Sequence, residues 1–118
     1  MKIRLTIQDR AAQGTLDDTP TARDFAALLP LRLRLSDYAA AEKVSDLPRR
    51  LTQEGAPSGY APAVGDLTYY APWGNLAIFT EDFRYAPGLI RLGALDSGLD
   101  ALSQEGELEV TLELVVER

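Results

Sequence analysis

Three stretches of the chain alternate apolar and polar residues with the two-residue period of a β-strand that buries one face. Ile3, Leu5 and Ile7 alternate with Lys2, Arg4 and Thr6. Leu31, Leu33 and Leu35 enclose Arg32 and Arg34. At the C-terminus Leu108, Val110, Leu112, Leu114 and Val116 face one side, and Glu109, Thr111, Glu113 and Glu117 face the other. The polar faces are basic in the first two stretches and acidic in the last. Opposite charges on facing positions suit cross-strand pairs, so the terminal strand is expected beside a basic one; plain solvation of the outer surface is the other reading of the same charges.

Between the first two stretches the period changes. Thr19 is placed to cap a helix start, and Pro20 suits the first helical position. Ala22, Phe25, Ala26 and Leu29 then fall on one face, until Pro30 disfavours helical geometry at Leu29. This helix is long enough to cover one open end of a barrel. A second short helix is expected from about Ser97, with Asp100 completing a capping box, and ending before Gly106. Residues 51–64 read as a loop, with two glycines and two prolines in Gly55–Pro62. Asp66–Tyr70 and Asn75–Thr80 read as strands joined by the tight turn Ala71-Pro-Trp-Gly74, and Leu89–Leu95 as another strand. Short strands punctuated by turns, with two short helices, predict a mainly β fold: a closed or nearly closed antiparallel barrel. With 118 residues and no internal repeat or linker, one domain over 1–118 is expected.

Composition changes this picture mainly by exclusion. The chain has no cysteine and no histidine. That removes thiol nucleophiles, thiolate or imidazole metal sites, the Ser-His-Asp arrangement and imidazole acid–base catalysis. No calcium-loop spacing of aspartates is present, so no metal or other cofactor is implied. A net charge of -6 argues against nucleic acid as a partner, because phosphate binding calls for a basic field. The alternating N-terminus reads as a strand, not a signal peptide, and no run approaches the roughly 18 apolar residues of a membrane span. A cytoplasmic location without membrane association is expected.

Leu47-Pro-Arg-Arg-Leu51, Gly55-Ala-Pro57, the block from Gly65 to Phe79 and Gly88-Leu-Ile-Arg-Leu-Gly93 together resemble the bacterial cyclophilin-like family, over roughly Thr15 to Leu95. The resemblance implies a cyclophilin-type barrel capped by helices. It implies little about activity. Enzymatic cyclophilins, which are peptidyl-prolyl isomerases, carry a Phe-His-Arg stretch and a Gln-Gly-Gly-Asp loop; this chain has Leu-Pro-Arg-Arg-Leu-Thr-Gln-Glu-Gly in the nearest place. Arg49, Arg50 and Gln53 are the catalytic candidates that the resemblance leaves, and whether the chain is an enzyme stays open.

Prolyl isomerisation needs no acid, base or metal, only a pocket and a donor that stabilise a twisted amide against a barrier of about 20 kcal/mol. The main expectation is instead a barrel that binds a small molecule or an extended, proline-containing peptide, with a degenerate isomerase as the alternative. Tyr69, Tyr70, Trp73, Phe79, Phe83 and Tyr85 crowd the middle of the chain, and aromatics with a few polar groups line ligand clefts. The predicted ligand residues are Arg50, Tyr69, Trp73, Asn75, Phe79 and Arg91. The bland reading stands beside each. Strand parity puts Tyr69 and Tyr70 on opposite faces, so one of them belongs to the core, and Trp73 reads equally as a plug of a barrel end. Arg49 and Arg50 read as ion-paired surface, and Arg91 as a structural partner of Asp66 or Asp82. A pair of converging carboxylates among Asp66, Glu81, Asp82 and Asp96 is a further option, of the kind that runs glycoside hydrolysis.

Overall fold

The computed structural model describes residues 1–116. The chain runs β1 (Lys2–Ile7), β2 (Arg10–Leu16), α1 (Pro20–Ala26), β3 (Leu31–Tyr38), β4 (Glu42–Asp46), β5 (Gly59–Tyr60) and β6 (Asp66–Tyr70). It continues with β7 (Asn75–Phe79), β8 (Ala86–Pro87), β9 (Leu89–Ser97), α2 (Leu99–Leu102) and β10 (Leu108–Leu114). Eight strands close a barrel in the order β1-β10-β3-β4-β7-β6-β9-β2, every neighbouring pair antiparallel. β5 and β8 form a small separate ribbon. The predicted barrel with two short helices is therefore present, and it is fully closed. No helix among the described residues is long and apolar enough to cross a membrane.

The acidic terminal strand pairs with both basic ones. Arg4 sits opposite Glu113 and Arg34 opposite Glu109, with ion-pair distances of 3.7 and 3.2 Å. These pairs are exposed and contribute at most about 1 kcal/mol each, so they select the register more than they hold the fold. Leu108, Val110 and Leu112 are buried as the alternation predicts, but Leu114, the last residue of β10, and Val116 beyond it are exposed. Glu117 lies outside the described residues.

The barrel interior is filled by alternate residues, among them Ile3, Leu5, Leu67, Tyr69, Leu76 and Ile78. Gly93 permits the closest approach between strands. A side-chain carbon there would stand 2.1 Å from the Thr15 carbonyl oxygen, far inside contact distance. Lys43 occupies an inward position opposite Ile78 and is 2 % exposed. Its ammonium reaches Asp37 at 2.6 Å and donates to the carbonyls of Gln104 at 2.5 Å and Gly106 at 2.8 Å. Those three partners match its three donors, which is what allows a lysine to be buried there.

The helices differ in detail from expectation. The Thr19 hydroxyl accepts from the Ala22 amide at 3.2 Å and Pro20 opens α1, as predicted, and Ala22, Phe25 and Ala26 join the barrel core. Regular helix ends at Ala26, not at Leu29: Leu28 and Leu29 donate to Phe25 and Ala26, and these i→i+3 bonds tighten the last turn. The Ser97–Asp100 capping box does not form. Gly98, with φ 85°, precedes α2, and Asp100 pairs with Arg10 at 2.6 Å.

Candidate functional site

β7 is buried on both faces, and that places the site. Leu76 and Ile78 point into the barrel, while Asn75, Ala77 and Phe79 point outward yet are at most 5 % exposed. A second apolar layer covers them outside the barrel: Tyr60, Tyr70, Phe83, Ala86 and Leu89 pack on Ala77 and Phe79. Between this layer and the β3–β4 hairpin lies a groove of about 300 Å³. Phe79 forms part of its lining, with Phe83 beside it at a ring-centroid distance of 6.0 Å.

The groove's aromatic corner is built by the β6–β7 turn. Trp73 stands edge-on to Tyr38 and to Tyr70, with centroids 5.4 and 5.2 Å away and interplanar angles of 86°. Trp73 is 54 % exposed and lies on the outer wall, so it does not plug a barrel end. The turn is tied down from several sides. The Gly74 amide donates to the Tyr70 carbonyl at 2.9 Å and the Ala71 amide to the Gly88 carbonyl at 3.0 Å. Gly88, with φ 82°, packs so close to the Pro72 ring that a side-chain carbon would sit 2.8 Å from it. Arg50 lies along Gly74 and donates from Nη1 to the Ala71 carbonyl at 2.7 Å.

Among the described residues, the side chains of Asn75 and Glu42 in the groove lack hydrogen-bond or ion-pair partners. Asn75 is 5 % exposed, and its buried Oδ1 accepts no hydrogen bond. Glu42, opposite Phe79 in the β4–β7 ladder, is half-buried, and burial alone raises its carboxyl above the usual range with no cation offsetting the effect. Arg84 also lines the groove, with its guanidinium 4.7 Å over the Phe83 ring.

Of the predicted ligand residues, Trp73, Asn75 and Phe79 meet in this groove. Tyr69 does not. Its ring fills the barrel interior at 0 % exposure, and its hydroxyl accepts from the Leu51 amide at 3.1 Å. The parity argument held: Tyr69 is core and Tyr70 is outer face. Arg91 lines a separate hollow of about 290 Å³ beside α1 and the 54–60 loop, and pairs with Asp17 at 3.3 Å rather than with Asp66 or Asp82. Asp66 instead accepts from the Tyr60 hydroxyl and the Ala63 amide, and Asp82 from the Val64 amide. Arg49 pairs with Asp24 at 2.9 Å, an interaction that lowers the Asp24 carboxyl below its usual range. Arg49, Arg50 and Gln53 are not among the groove-lining residues.

Of the carboxylates Asp66, Glu81, Asp82 and Asp96, Asp96 is bound to Thr15 at 2.7 Å and to Lys2 at 3.0 Å, and Asp66 and Asp82 each accept a loop amide. No group of three His, Cys, Asp or Glu among the described residues is arranged to hold a metal. The sequence reading missed Tyr38, Glu42 and Arg84 as groove residues. The two on the β3–β4 side were hidden because β4 has no apolar alternation, so the hairpin that delivers them carried no signal.

The model of the Cyclophilin-like family matches residues 5–113. The chain belongs to that family. This cyclophilin-like barrel is also similar in fold to the solution structure of the hypothetical protein AF2241 from Archaeoglobus fulgidus. The TM-score is 0.73 at 17% identity, over 96% of this chain and 93% of that one. No curated protein matches the chain. The family match begins earlier and ends later than the resemblance read from the motifs, and reaches into β10.

Proposed function

We propose that this cyclophilin-like barrel is a binding protein that seats a small molecule or an extended, proline-containing peptide in the outer-face groove. The observation that carries the reading is Asn75. A buried acceptor left unpaired costs roughly 1–3 kcal/mol, and here it lines an aromatic hollow of ligand size. A ligand N–H that reaches the turned side-chain amide would supply the missing donor, while Tyr38, Tyr70 and Trp73 offer flat apolar surface to a proline ring or an aliphatic group. The barrel core is packed with side chains, so the outer groove is the better-supported seat.

The isomerase alternative needs a donor above the bound amide. Arg49 and Arg50 are committed to Asp24 and to the Ala71 carbonyl, which leaves Arg84 as the groove's own arginine. Trp73 is the chain's one tryptophan, so its fluorescence reads the groove directly. Titration with neutral, end-blocked Ala-Pro peptides is expected to change that emission, and Tyr38→Ala to weaken the response several-fold. Emission and groove amide shifts that stay constant to millimolar peptide would overturn the proline-peptide form of the reading. Exchange spectroscopy on the same samples tests catalysis: cis–trans exchange speeded by the wild type and not by Arg84→Ala would identify an isomerase.

A further inference from the structure

The groove's polar groups point to the charge of what it binds. Tyr38, Trp73 and Tyr70 form two right-angled aromatic corners whose rings are partly exposed, and such faces attract cations through their negative π-clouds. Glu42 lines the same hollow as a carboxylate with no ion pair among the described residues. By contrast, the buried Lys43, the Arg91 beside the second hollow and the carboxylates Asp24 and Asp96 all have charged partners. The unpaired Asn75 oxygen adds a second acceptor to the hollow, whose lining also includes the Arg84 guanidinium. Arg84 forms no ion pair with Glu42 among the described residues; its guanidinium rests over the Phe83 ring, a different ring of the same lining.

Resting on the groove being the binding site, we propose that its ligand presents a cationic ammonium group, seated against Tyr38, Trp73 and Tyr70 with its charge answered by Glu42. A compact alkylated ammonium fits this chemistry better than a phosphate. The aromatic faces suit a rounded, alkylated cation, whereas a phosphate would meet Glu42 with like charge. The group has two sources, a free quaternary amine or an alkylated lysine on a peptide, and both are testable.

Trp73 fluorescence is followed during titration with choline, with its neutral isostere 3,3-dimethylbutanol, and with an end-blocked peptide bearing trimethyllysine or unmodified norleucine at one position. The charged member of a pair is expected to bind about tenfold more tightly than its neutral counterpart. Preference for choline alone assigns a free amine, and preference for the trimethyllysine peptide alone assigns a peptide source. Glu42→Gln, checked for folding by circular dichroism, is expected to remove most of the preference. Equal affinity for charged and neutral members, or a preference unchanged in Glu42→Gln, overturns this inference while leaving the groove as a binding site. If neither these probes nor the neutral Ala-Pro peptides alter Trp73 emission, the groove reading itself fails.

Discussion

Replacing Tyr69 by phenylalanine tests whether this tyrosine is core or ligand contact. The ring would stay where it is, at 0 % exposure among Leu67, Leu76 and Ile78, because the substitution removes one oxygen and leaves the apolar volume. What is lost is the acceptor for the Leu51 amide at 3.1 Å. Leu51 is 4 % exposed and lies outside the ladders, so its N–H has no strand neighbour to turn to. Leaving a buried amide unpaired costs roughly 1–3 kcal/mol. The hydroxyl no longer has to be desolvated, which offsets part of this, so a net loss of about 1–2 kcal/mol is expected. For a chain of this size that corresponds to a fall in Tm of about 4–8 °C. Urea denaturation followed by Trp73 emission and far-ultraviolet circular dichroism gives the stability, and Ala-Pro peptide titration of the folded variant gives binding. Destabilisation with unchanged affinity is the expected pair. A stability within about 0.3 kcal/mol of wild type, or a selective loss of binding, would refute the assignment of Tyr69 to the core.

Two further outcomes follow from the same geometry. Lys43→Met keeps the buried stem but strips donors from the Gln104 and Gly106 carbonyls and the partner from Asp37; a loss of about 2 kcal/mol by urea denaturation is expected, moderated because water reaches these partners. Glu42→Gln is expected to stabilise the unliganded protein by less than about 1 kcal/mol at neutral pH, since a half-exposed charge is partly screened. Burial disfavours the ionised carboxyl, so the wild type loses stability relative to the variant as pH rises through the raised pKa. Below the ordinary value of 4.5 the acid is neutral in both states and the difference vanishes, which a pH series of urea midpoints will display.

How much of this was legible in the sequence depended on what fills the inward positions. β1, β3 and β10 carry large aliphatics at every second residue, and β6, β7 and β9 are bounded by turn residues, so all six were readable. β2 places Ala12 and Gly14 inside, and small residues raise no hydrophobic period. β4 places Lys43 inside, a charge where the pattern demands an apolar group; only its three tertiary partners make that tolerable, and they come from β3 and the 104–106 turn. The groove suffered the same blindness. Trp73, Asn75 and Phe79 were found because they lie close together in the chain, whereas Glu42 and Tyr38 arrive across a hairpin the pattern did not reveal. Arg49 and Arg50 drew attention as an adjacent pair, but the fold turns one to Asp24 and the other to a turn carbonyl.

That division bears on where function resides in this molecule. A closed barrel has no free sheet edges, and this one has its interior filled, so the proposed ligand would have to use the outer surface or the loops. Much of that surface obeys the ordinary rules of stability: outward charges face opposite charges, and Lys43 meets its donors' full complement of acceptors. Among the described residues the rules are broken at Asn75 and at Glu42, one a buried acceptor without a donor and the other a half-buried acid without a cation. Two independent violations scattered at random would be unremarked strain. Here they sit on adjacent strands, β7 and β4, beside the same three aromatic rings and along the same groove. Positions where local consistency fails are where selection for binding acts against selection for stability. The removal of either violation, by Glu42→Gln for the acid, is thus expected to strengthen the barrel and to weaken its hold on a ligand, a pairing of effects that a purely structural role for these residues does not produce.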